Sequence, residues 1–159
     1  VFAKMHEETL DYGYLGSFRD NPLYTSGLQS STLSYLSKTY PKQELQNFLT
    51  RHWKWNAKYL PMSDHSEENN WEDACFHTHF TIARRSLWSD PKVLDYLQHL
   101  DVLGGIFYNR WGDACIHYFI VSLFIEEEKV LHISDLPYWH QQLLLSSKKM
   151  PIVSALPED

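Results

Sequence analysis

Two stretches of this chain space polar side chains in ways that suit chemistry. In residues 108–114 (YNRWGDA) a carboxylate, Asp113, follows a glycine at the head of the most apolar run in the sequence, with Arg110 and Trp111 before it and His117 four residues after it. Residues four apart on a helix share one face, so Asp113 and His117 would be neighbours. An acid in the first turn of a buried helix faces the positive end of the helix dipole, which stabilises by about 0.3–1 kcal/mol and is a sufficient structural reason for its presence. The sharper reading adds Arg110, Trp111 and Asp113 as a polar cluster at the end of a strand, where α/β proteins place their ligands. A satisfied core histidine is the simpler account of His117. In the second stretch, residues 132–140 (HISDLPYWH), Asp135 and His140 bracket Pro137, Tyr138 and Trp139 in a loop after a strand. A neutral imidazole suits Mn²⁺ or Zn²⁺, but one histidine supplies one bond, so carboxylates or substrate phosphates must complete the shell. His77 and His79 could present two imidazoles on one strand face, although surface or hydrogen-bonded roles account for them more simply.

The elements that must position these groups follow from periodicity. Residues 12–18 (YGYLGSF) alternate as a short strand, and Arg19, Asp20, Asn21 and Pro22 read as a turn. Leu28, Leu33, Leu36 and Tyr40 have helical spacing behind Ser26 as a plausible cap. Pro41 opens a second helix whose stripe runs through Leu45, Phe48, Leu49, His52, Trp53 and Asn56. Residues 60–72 (LPMSDHSEENNWE) are polar and read as a long surface loop. Residues 75–83 (CFHTHFTIA) alternate as one strand. A helix over residues 91–103 ends at Gly104 and Gly105, and a nearly all-apolar helix over 111–125 must be buried. Residues 130–133 form a last short strand, and the tail from 146 is irregular. Alternating strands and helices make the class α/β.

Bulk properties narrow the function. The chain has 159 residues and 43% apolar content, enough for one domain with a real core. A net charge of −6 argues against a grip on nucleic acid, which needs clustered Lys and Arg. An anionic small molecule could still bind with a divalent cation or local arginines offsetting its charge. Cys75 and Cys115 lack metal-type spacing and are either one disulfide or two buried thiols. The most apolar stretch, residues 115–125, is far short of the roughly 20 residues needed to span a bilayer, and the first residues do not form a signal peptide or an anchor. The chain lacks an initiating Met and is expected to be a piece of a longer protein.

The stretch from Gly104 to His140 resembles the C-terminal catalytic segment of glycosyltransferase family 15, the fungal-type α-1,2-mannosyltransferases. That family carries a Gly-Gly-aromatic run, then Tyr-Glu-Arg-Trp-Gly-Asp-Ala-Pro-Val-His, an apolar helix and Asp-Ile-Gly-Tyr-x-His. Gly104, Gly105, Tyr108, Arg110, Trp111, Gly112, Asp113, Ala114, His117, Asp135, Tyr138 and His140 match at the right spacing. Upstream, Tyr12 and Gly13 sit where the family has a Tyr-Gly strand, and CFHTHFTIARRSLW is similar to its Cys-His-Phe-Trp-Ser-Asn-Phe-Glu-Ile run.

The resemblance implies an α/β nucleotide-diphospho-sugar transferase fold of the GT-A type, here its C-terminal half only. Residues 1–145 would be a partial catalytic domain and 146–159 a tail. It implies retaining transfer of mannose from GDP-mannose to a mannose-containing glycan acceptor in protein glycosylation, with Mn²⁺ as cofactor. It also implies a lumenal domain at the Golgi membrane, anchored only through a segment absent from this chain. His140 matches the metal-coordinating histidine and Asp113 the active-site aspartate, with Arg110, Trp111 and Tyr108 as substrate-binding candidates. For Arg110, pairing with a buried carboxylate is the more economical role. Two departures matter. Thr81 stands where the family has its proposed nucleophilic Glu, and a hydroxyl neither ionises near neutral pH nor stabilises positive charge comparably. Glu72 or Asp73 could replace it only through a shift in alignment. The family's Glu-Pro-Asp metal motif would lie upstream of Val1, so residues 1–159 alone are expected to bind the nucleotide sugar poorly. A lesser departure is Cys115 in place of Pro. The alternative is a catalytically impaired relative that kept sugar or nucleotide binding.

Overall fold

In the computed structural model, residues 1–59, 71, 73–140 and 143–145 are described. Seven helices and seven strands follow in the order α1 (Phe2–Glu7), β1 (Tyr12–Tyr14), β2 (Ser17–Arg19), α2 (Pro22–Thr25), α3 (Leu28–Thr39), α4 (Lys42–Tyr59), β3 (Ala74–Phe76), β4 (Thr81–Ala83), α5 (Pro91–Leu103), α6 (Gly105–Tyr108), α7 (Asp113–Phe124), β5 (Val130–His132), β6 (Tyr138–His140) and β7 (Leu143–Leu145) among the described residues. The α/β class stands.

Three small sheets carry the strands. In the first, β1 lies between β4, antiparallel, and β5, parallel, with Tyr12 opposite Ala83 on one side and Val130 on the other. Strands β2 and β3 pair antiparallel, and β6 and β7 form a hairpin. Residues 12–18 are therefore two strands in different sheets, and residues 75–83 likewise split into β3 and β4. In both cases the chain leaves one sheet and enters another while the alternation of residue types in the sequence runs on. His140 closes strand β6 rather than lying in a loop.

Helix α7 is the centre of the core. It packs on β3 and α4, burying Ile116, Tyr118, Phe119, Ile120, Val121 and Leu123. Tyr12, Tyr14, Phe76 and Tyr118 form a continuous aromatic stack beside it, with ring centroids 4.5–5.6 Å apart. Its first turn is held covalently, because Cys115 is disulfide-bonded to Cys75 of β3. The bond resolves the alternatives that spacing left open.

Local chemistry explains most helix ends. Asp90 accepts the Lys92 N–H at 2.8 Å to cap α5, Pro91 takes the first position, and Gly104 ends the helix at φ +68°. Asn21 caps α2, so residues 19–22 lead into a short helix instead of a plain turn. Ser26 does not cap α3. Gly27 precedes that helix at φ +81°, and the Ser26 carbonyl is used elsewhere. Of residues 60–72, Trp71 is described and is buried, its indole N–H donating to the Ala74 carbonyl at 2.7 Å. The rest of that expected loop, apart from Trp71, and the tail from 146 lie outside the described residues.

Candidate active site

Asp113 opens α7 behind Gly112, which has no side chain to cap the helix. The carboxylate takes over that task and accepts the Ala114 N–H at 2.9 Å. It stays exposed, so it faces both the helix dipole and solvent. One turn later, on the same face, His117 is half-buried.

Asp113 and His117 share a cavity of about 510 Å³ with Thr81, Ala83, Trp88, Leu97 and Ile116. The register of β4 on β1 places Thr81 at its wall. Trp88, in a short 3-10 turn over Arg85–Ser89, packs on the His117 ring with centroids 4.7 Å apart. From behind, the buried Tyr12 hydroxyl reaches His117 Nδ1 at 3.1 Å. Burial raises the Tyr12 pKa well above the usual phenol range, hydrogen bonding from Thr81 pulls it part of the way back, and the charge on Asp113 adds to the rise. Burial lowers the His117 pKa and the Asp113 charge opposes that. A neutral imidazole and an exposed carboxyl therefore share the pocket, with a neutral phenol behind its wall.

The structure separates the other candidates from this cavity. Trp111 is 5% exposed, lies flat on Gly105 and donates its indole N–H to the Ser26 carbonyl at 2.8 Å. Arg110, at φ +61°, turns over the Tyr24 ring with its guanidinium 4.8 Å from the centroid. It makes that cation–π contact instead of pairing with a buried carboxylate. Tyr108 is 87% exposed and packs over Gly104. No strand precedes Asp113; the four-residue helix α6 does, so Arg110, Trp111 and Asp113 do not form the strand-end cluster expected of them. Asp73 is spent on the Thr25 hydroxyl at 2.6 Å. The rings of His77 and His79 stack 6.1 Å apart in the link between β3 and β4, with His77 also stacked on Phe18.

No spacing in the sequence points to Tyr12 or Trp88 as part of this cavity. Their part depends on strand register and on a 3-10 turn, and neither is visible as a spacing.

Among the described residues, one trio of potential ligands lies close together, Asp20, Cys75 and Cys115, and the disulfide has consumed both thiolates. Asp113 belongs to no such trio, so the described residues do not by themselves make a shell. The side chain of His140 lies outside what is described.

The model of a family described as glycolipid 2-alpha-mannosyltransferase matches residues 1–154. The chain belongs to glycosyltransferase family 15. It is 29% identical over 143 residues to the glycolipid 2-alpha-mannosyltransferase of Saccharomyces cerevisiae, covering 88% of this chain and 29% of that protein. To the O-glycoside alpha-1,2-mannosyltransferase homolog 3 of Schizosaccharomyces pombe it is 29% identical over 140 residues, 87% of this chain and 35% of that one. The crystal structure of core-mannan synthase A from Aspergillus fumigatus, in its Mn/GDP form, superposes with a TM-score of 0.74 at 27% identity, over 92% of this chain and 39% of that one. The chain thus spans about a third of the length of the family 15 proteins it matches and represents part of their catalytic domain.

Proposed function

We propose that the protein to which this chain belongs transfers mannose from GDP-mannose, with retention, to the 2-hydroxyl of a mannose-containing glycan in protein glycosylation. The observation that carries this reading is the cavity in which Asp113, His117, Thr81 and Trp88 meet. Family membership and the printed activities of the relatives support the reaction, and the GDP and Mn of the core-mannan synthase A structure support the donor and the metal.

Asp113, an exposed residue lining the cavity, would orient the acceptor hydroxyl and take its proton. A side chain with a carboxylate here and an aromatic wall opposite can hold a pyranose by its hydroxyls and its C–H face. Mn²⁺, with His140 as one ligand and the rest of its shell from the diphosphate and from outside the described residues, would neutralise charge on the leaving phosphate. Thr81 supplies no carboxylate, so the alternative of a binding-only relative remains a defined outcome of the test. The family and its relatives do not favour it.

A lumenal site at the Golgi membrane is also proposed. The Cys75–Cys115 disulfide supports an oxidising compartment. No helix among the described residues is long and apolar enough to cross a membrane, so anchoring would fall to another segment.

The test is turnover of GDP-mannose by the full-length protein with methyl α-mannoside as acceptor, with Mn²⁺ and after chelation. Metal-dependent formation of an α-1,2-linked disaccharide is expected. Binding of GDP-mannose without product would establish the binding-only reading instead.

A further inference from the structure

The hydrogen-bond chain behind the cavity wall fixes more than the position of His117. Tyr12 is fully buried and its hydroxyl has one proton to give. Among the described residues, the side-chain acceptor within hydrogen-bond distance of that hydroxyl is His117 Nδ1, and the reverse bond would leave the buried phenol proton unsatisfied. The tyrosine proton therefore goes to His117 Nδ1, 3.1 Å away. An Nδ1 that accepts leaves the ring proton on Nε2. Among the described residues that second nitrogen has no protein partner, while the ring it belongs to lines the cavity beside Asp113. Trp88, packed on the imidazole at 4.7 Å, restrains its rotation.

We infer that His117 is a sugar-binding residue, whose Nε2–H donates to an oxygen of the acceptor mannoside next to the hydroxyl that Asp113 addresses, and that Tyr12 is the positioning residue that sets its tautomer. The inference rests on the reading of the cavity as the acceptor site. The two carry opposite polarity on one helical face: Asp113 accepts a proton or hydrogen bond, and His117 one turn later donates one. A pyranose with adjacent hydroxyls presents a donor and an acceptor at that kind of spacing, and the lowered pKa keeps the imidazole a neutral donor near pH 7. The Trp88, Leu97 and Ile116 side chains supply the apolar surface against which the ring would lie.

The experiment uses full-length protein labelled with ¹⁵N at histidine. The tautomer is read from the two ring nitrogens, and binding of methyl α-mannoside is followed at the same resonances. The expected result is Nε2–H in the free protein, a shift of the His117 signals on saturation, and a mixed tautomer in Tyr12→Phe with affinity weakened about threefold. His117→Phe, which keeps the ring against Trp88 but has no donor, should weaken binding about tenfold. His117→Gln, which restores an amide N–H near Nε2, should recover most of that loss, a recovery that a packing role would not produce. Nδ1–H in the free protein, silent His117 signals at saturating mannoside, or equal losses in the Phe and Gln variants would overturn the inference. If the wild type fails to transfer mannose while the mannoside still shifts His117, the proposed reaction fails and this site stands. If transfer proceeds with His117 silent, the reverse holds.

Discussion

Removing the Cys75–Cys115 bond is the perturbation whose effect can be worked most fully from the structure. The two residues are 40 positions apart, and closing a loop of that length in the unfolded chain costs about 13 cal/mol/K in entropy, or about 4 kcal/mol at 25 °C. That is a large share of the 5–15 kcal/mol that stabilises a typical domain. Both cysteines are buried, at 0% and 1% exposure, so the Cys75→Ala/Cys115→Ala double variant also leaves small gaps between β3 and α7. With a urea m-value of about 2 kcal/mol/M, the midpoint should fall by about 2 M. The loss should also be local. The bond ties the first turn of α7 to β3, so hydrogen exchange at residues 114–116 of the variant should accelerate more than exchange at the far end of the helix. A midpoint shift below about 0.5 M, or exchange that rises evenly along α7, would refute the claim that this bond anchors the helix carrying Asp113.

Other perturbations test separate parts of the argument. His52, fully buried with Nδ1 2.8 Å from the Ser122 hydroxyl, has its pKa pushed down to about 4 by burial. It stays neutral in the fold while the unfolded chain protonates below about 6.5, so its contribution is complete above that pH and is lost as pH falls from 6.5 toward 4. Urea midpoints across that window should decline, and His52→Gln should flatten the decline; an unchanged slope would contradict the assignment. Gly105→Ala would put a methyl group 2.3 Å from the Trp111 ring, so a loss of about 1–3 kcal/mol is expected by calorimetry, and a neutral result would show that the indole can move aside. Thr81→Glu would bring a second carboxylate into the cavity with Asp113 and His117, so the His117 pKa read by NMR should rise. A fall would place residue 81 away from the ring.

The sequence was most legible where structure is written in local spacing. Helix α5 has its Asp90 cap, Pro91 start and Gly104 stop in consecutive code, and α7 is too apolar to lie anywhere but inside. Strands were harder to read. Between Tyr14 and Ser17, and between Phe76 and Thr81, the chain changes sheets with its alternation intact, so periodicity alone counts one strand where there are two. In the site, the family motif pointed to Asp113 and i, i+4 spacing put His117 on its face, where a core role was the simpler reading; the fold brings both to one cavity with Thr81. Arg110 and Trp111 sit in the same motif but are drawn off by long-range partners, Tyr24 and Ser26, that no local pattern announces. Tyr12 gained its place only through its register opposite Ala83, about 70 residues downstream in the chain. Pairing of the two cysteines required the packing of α7 on β3 to be known first.

The central claim is that the carboxylate heading α7 acts on the acceptor at the reacting centre. Single-turnover transfer from GDP-mannose by full-length Asp113→Asn, with donor affinity measured alongside, addresses it directly. A rate lower by about 10²–10⁴-fold with GDP-mannose affinity unchanged is the predicted result. Transfer at the wild-type rate would contradict the claim.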